Sequence, residues 1–78
     1  MSAKKTVRDN IRVLRESRRI TQLELANRIN IKRSLVGSWE EGRSAPKIDK
    51  LILLADTFEI TVDELIRDNI KEKLSVQK

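Results

Sequence analysis

Residues 21–43 read TQLELANRINIKRSLVGSWEEGR. Thr21 followed three places on by Glu24 is a capping box, where hydroxyl and carboxylate each satisfy a backbone N–H left free at a helix start. Gln22, Leu25, Ala26 and Ile29 then share one helical face. Ala26 is small enough for a neighbouring helix to cross closely, and Asn30 tolerates the left-handed backbone that a tight elbow needs. Ile31 is expected to plug the core beneath that elbow. A second helix is expected over 32–41, stopped by the left-handed tolerance of Gly42. Stepped at about 100° per residue, it puts Leu35, Val36 and Trp39 on one side. Arg33, Ser34, Gly37, Ser38 and Glu41 fall on the other. A plain solvated helix favours Lys, Glu and Gln there, so small residues, donors and a glycine suit a helix whose backbone approaches a partner.

Outward from this pair the remaining chain is also helical. Residues 1–5 are small, polar and basic and are expected to form a disordered arm. Thr6, with Asp9 behind it, reads as the cap of a first helix reaching about residue 18. Val7, Ile11 and Leu14 are its buried stripe, and Arg8, Arg12, Arg15 and Arg19 recur on an adjoining strip. After a short loop at 43–46, a fourth helix is expected over 47–57. Ile48, Leu51, Ile52, Ala55 and Phe58 mark its inner side, with Leu54 beside them and Leu53 pointing away. Thr61 and Glu64 form a second capping box, opening a fifth helix with Val62, Leu65 and Ile66. Residues 68–78 are a tail or an extension of that helix, because Ile66, Ile70 and Leu74 recur every four residues. No segment alternates with period two. The expectation is an all-α domain of five short helices over 6–67.

Composition narrows the function. Seventy-eight residues make one small domain, and Cys, His and Tyr are all absent. Catalysis would rest on carboxylates and lysines, and none stand in a catalytic pattern, so no enzyme, metal site or cofactor is expected. The longest apolar run, 51–55, cannot cross a bilayer, and MSAKK is not a secretory leader, which points to the cytoplasm. The net charge of +5 is uneven: residues 1–50 carry 13 Lys/Arg against 6 Asp/Glu, and residues 51–78 carry 4 against 6. That asymmetry suits one surface facing a polyanion, although a helical domain with solvated charge would show it too.

The segments IRVLRE at 11–16, TQLELANRI at 21–29, SLVGSWEEGR at 34–43, Pro46, and FEITVDELI at 58–66 together make a closer match. From about 11 to 66 the chain resembles the Cro/C-one (Xre) family of helix-turn-helix regulators. The resemblance implies a compact lambda-repressor-like fold that lays its third helix in the major groove of double-stranded DNA. The positions matching base-reading sites are Lys32, Arg33, Ser34 and Ser38. Arg can take guanine O6 and N7 together, and Ser can serve either base edge. Gln22, Arg43, Ser44 and Lys47 match positions that hold the phosphate backbone. Arg15 and Glu40 match a pair that bridges the first and third helices. Lys32 stands where the family often has a Ser or Thr cap.

A transcriptional regulator, a repressor acting as a homodimer on a palindromic operator, is the leading expectation. A protein-interaction module on the same fold need not keep donors at 33, 34 and 38 with basic residues at 43 and 47. A DNA-binding antitoxin would add a toxin-binding surface, for which only residues 68–78 are available. No membrane or small-molecule partner is indicated. For the dimer, Leu53, Ile66, Ile70 and Leu74 are candidate aliphatic contacts in the mildly acidic half.

Overall fold

The computed structural model describes residues 3–67 and 70, with side chains from Thr6 onward. Five helices follow in order: α1 (Ala3–Ser17), α2 (Gln22–Arg28), α3 (Arg33–Glu41), α4 (Ile48–Phe58) and α5 (Val62–Arg67). The described residues contain no strand. Helix α1 lies between α5 and α3, α2 packs on α3, and α4 packs on α5. Their shared core is built from Val7, Ile11 and Leu14 of α1, Ile20, Leu25, Ala26 and Ile29 around the elbow, and Val36 and Trp39 of α3. Leu54, Phe58 and Leu65 close it from the other end. No helix among the described residues is long and apolar enough to cross a membrane.

Local chemistry accounts for most helix ends. Thr21 Oγ1 accepts from the Glu24 amide at 3.1 Å while Glu24 Oε1 accepts from the Thr21 amide at 2.7 Å. Thr61 and Glu64 repeat this at 3.0 and 2.9 Å at the start of α5. Asn30 (φ 60°) and Gly42 (φ 78°) take the left-handed conformation after α2 and α3. Arg19 (φ 56°) and Glu59 (φ 59°) do the same after α1 and α4, without a residue type that signals it.

Four expectations change. Thr6 is not a cap, because α1 already runs from Ala3, taking the backbone of residues 3–5 into the helix. Ala and Lys are strong helix formers, so nothing there favours a stop. Met1 and Ser2 lie outside the described residues. In α4 the buried stripe is Leu54, Ala55 and Phe58 with half-buried Leu51, whereas Ile48 and Ile52 are 63% and 48% exposed. Every residue from 51 to 55 is apolar, so periodicity leaves the phase of this helix open, and packing on α5 selects it. Ile70 is buried in the core, with its amide bonded to Asn10 Oδ1 at 3.1 Å, and Ile66 packs half-buried against that core. Neither forms an outward patch with Leu53, which is 39% exposed. Leu74 lies outside the described residues.

The fourth change is at Gly37, which is buried rather than outward-facing. A Cβ built there would stand 3.5 Å from Gln22 Oε1, an ordinary contact. Space for a methyl is present, so the glycine's cost to the helix is not offset by a steric need. Gly37→Ala is therefore expected to raise stability by about 0.5–1 kcal/mol in urea denaturation, and a loss would show that the α2–α3 crossing tolerates no Cβ.

Candidate nucleic-acid interface

The outer side of α3 is open and basic. Lys32, Ser34, Leu35, Ser38 and Arg43 line one shallow concavity. Lys32 precedes the first turn and makes no side-chain cap bond. Arg33, Ser34 and Arg43 are exposed, and Leu35 has its other side on the core. Ser38 is half-buried, with its Oγ 2.7 Å from Ser44 Oγ. The Arg43 amide donates to the Ser38 carbonyl at 3.0 Å, so this loop is tied to the end of α3 by backbone as well as hydroxyl. Lys47 is exposed at the start of α4 and does not line the concavity. Glu41 is exposed, and its Oε1 lies 3.0 Å from Arg43 Nε. This local pair masks part of the Arg43 charge in the free protein.

Beneath the surface lies a continuous polar chain. Glu40, one residue on from Trp39, has a side chain only 1% exposed. Arg15 Nε donates to its Oε2 at 2.7 Å and Arg15 Nη2 to its Oε1 at 3.0 Å. Arg15 Nη1 also donates to the Ile20 carbonyl at 2.9 Å, fixing the start of the elbow. Arg12 Nε reaches Glu40 Oε1 at 3.4 Å from the solvent side. Gln22 Nε2 donates to the same oxygen at 3.1 Å, and Gln22 Oε1 accepts from Arg33 Nη1 at 3.0 Å. Burial by itself would raise the Glu40 carboxyl, but the donors Arg15, Gln22 and Arg12 hold it below its ordinary value of 4.5. The hydrogen bond to Glu40 correspondingly raises Arg15.

The structure thus gathers Lys32, Ser34, Ser38 and Arg43 around one concavity, with Ser44 bonded to Ser38, and joins Gln22 to Arg33. Three residues with structural parts escaped the sequence reading. Arg12 is a further partner of Glu40. Arg18 Nη2 donates to the Phe58 carbonyl at 2.8 Å, closing the end of α4, and its guanidinium lies 5.8 Å from the Phe58 ring centre. Asn10 is buried and bonds across to the chain near α5. A polar residue inside the Val7–Ile11–Leu14 stripe was the signal available for it, because a buried amide must find partners. Among the described residues no group of His, Cys, Asp or Glu is placed to hold a metal.

Comparison with known proteins places this geometry. The chain is 36% identical over 67 residues to RstR, a cryptic phage CTXphi transcriptional repressor of Vibrio cholerae, covering 82% of this chain and 60% of that protein. It is 32% identical over 75 residues to YobD, an uncharacterized HTH-type transcriptional regulator of Bacillus subtilis, covering 82% and 67%. With BcrR, an HTH-type transcriptional activator of Enterococcus faecalis, it shares 29% identity over 58 residues, covering 74% and 28%. The chain therefore spans from 28% to 67% of the length of these relatives. Its fold is that of a hypothetical transcription factor, NHTF, from Neisseria, with a TM-score of 0.82 at 20% identity over 97% of this chain and 86% of that one. A helix-turn-helix family model matches residues 11–65, most of the sequence, and the chain belongs to this Xre-type helix-turn-helix family.

Proposed function

We propose that this chain is a cytoplasmic transcriptional regulator that binds double-stranded DNA sequence-specifically, with α3 in the major groove and no catalytic step. The observation that carries this is the outer face of α3. Exposed Lys32, Arg33 and Ser34 and half-buried Ser38 share that helix with an apolar side sunk in the core. Arg33 and its neighbours read base edges. The Gln22 end of α2, Arg43, Ser44 and Lys47 hold phosphates and set register.

Selection of bound sequences from random duplex DNA tests the proposal, and recovery of no enriched sequence would end it. On the recovered site, Arg33→Ala should weaken binding by about 1–3 kcal/mol and relax preference at one base pair. Arg43→Ala should weaken all sequences about equally and reduce the salt slope by about one unit. Equal, sequence-independent losses for both would remove Arg33 as a base reader.

A nine-residue helix covers few base pairs, so useful specificity calls for two copies on a palindrome, with their recognition helices about 34 Å apart. With Ile66 and Ile70 engaged by the core, the aliphatic surface offered for a homodimer is Leu53 with Ile48 and Ile52 on α4. Leu53→Glu should then shift sedimentation toward the monomer and weaken operator binding. A parent protein that stays monomeric at high concentration and on its operator refutes the dimer.

A further inference from the structure

Gln22 lies between two neighbours of opposite demand. Glu40, ionised and buried, can only accept hydrogen bonds, while Arg33 can only donate them. A carboxamide is the side chain that serves both, and it does so in one orientation: NH2 toward Glu40 at 3.1 Å, oxygen toward Arg33 at 3.0 Å. Exchanging the two ends of the amide would set oxygen against carboxylate and NH2 against guanidinium. The amide direction is therefore dictated by the charge on Glu40, which Arg15 holds in turn through two bonds.

We propose that Glu40, which is sealed from solvent and cannot touch DNA, is a specificity-determining positioning residue that aims the guanidinium of Arg33 through the amide of Gln22. This rests on the DNA-binding reading above and goes beyond it, because it assigns base discrimination to a residue of the core. An arginine on an exposed helix start otherwise samples many rotamers, and ordering it on binding costs affinity. A guanidinium already held by Gln22 Oε1 at one Nη keeps its other donors for a bidentate contact with guanine. Gln22 has a second amide hydrogen, so a phosphate contact and this positioning part are compatible.

The experiment uses the full chain and the duplex recovered by selection, together with duplexes changed at single base pairs. Each variant is assayed at a temperature at which circular dichroism shows it folded. Glu40→Gln keeps the size of residue 40 but supplies an NH2, so the Gln22 amide loses its imposed direction. Discrimination at the base pair read by Arg33 should fall about tenfold in Glu40→Gln and in Gln22→Ala, while other base pairs change by less than about twofold. In an Arg33→Ala background both substitutions should have no further effect on that base pair. Loss spread evenly over all base pairs, or loss that persists without Arg33, would overturn the proposal and leave Glu40 a purely structural residue. NMR of the Arg33 side chain in the DNA-free protein supplies a readout that does not depend on DNA. Its guanidinium should become more mobile in Glu40→Gln, and unchanged mobility would overturn the relay even if DNA binding holds. If selection recovers no site while the mobility changes as expected, the DNA reading fails and the internal relay stands apart from it.

Discussion

Glu40→Ala is expected to lower the stability of this domain by about 3 kcal/mol, the lower end of what removing one partner from a buried ion pair costs. The reason is what remains. Arg15 is 13% exposed at its side chain, held against the core by α1 and the elbow, and would keep its charge with the Ile20 carbonyl as its remaining hydrogen-bond acceptor among the described residues. Arg12, 52% exposed, can turn to water and adds little to the loss. For a domain of this size such a change lowers the melting temperature by roughly 12–24 °C. By contrast, the exposed pair Arg67–Asp63 on α5 should contribute about 0–1 kcal/mol. Thermal and urea unfolding of Glu40→Ala and Asp63→Ala checks this, and a Glu40→Ala loss below about 1 kcal/mol would contradict a shielded pair. The same carboxylate gives a pH dependence whose sign follows from its lowered folded value. Its stabilisation is fully present above its ordinary value near 4.5 and is lost as pH falls through the lower folded value. Glu40→Ala should lack that part of the acid destabilisation.

The second large effect belongs to Asn10. Its Nδ2 donates to the Leu65 carbonyl at 2.7 Å, and its Oδ1 accepts from the Ile70 amide at 3.1 Å. One side chain in the middle of α1 thus satisfies two backbone groups at the far end of the chain. Asn10→Ala leaves both without that partner in a buried setting, at a cost of about 1–3 kcal/mol each, roughly 2–6 kcal/mol together. The loss should be concentrated where the bonds were. Hydrogen exchange at the Ile70 amide should accelerate more than exchange at Val36 or Trp39 in α3. Unchanged protection at Ile70, or a stability loss under about 1 kcal/mol, would mean that the apolar contacts of Ile70 hold this end without Asn10.

The helix order and the elbow were legible in the sequence because they rest on local chemistry. Capping boxes act over three residues, Asn30 and Gly42 each take one backbone conformation, and the Val7–Ile11–Leu14 and Val36–Trp39 stripes have a phase that polar neighbours make plain. The family resemblance pointed to the same five helices and paired Arg15 with Glu40, which the structure joins at 2.7 Å. Tertiary structure decided the rest, wherever the sequence offered more than one equivalent choice. In 51–55 five apolar residues in succession define no face, so contact with α5 had to choose Leu54 over Ile52. Ile70 continues a stripe that could lie inside or outside, and the bond from its amide to Asn10, sixty residues away, goes with the inward choice. Gln22 reads as a helix-start residue from its neighbours in sequence. Only when α1, α2 and α3 meet does it stand between an acceptor and a donor, because hydrogen-bond partners of Gln22 lie 11 and 18 residues away and no local pattern encodes them.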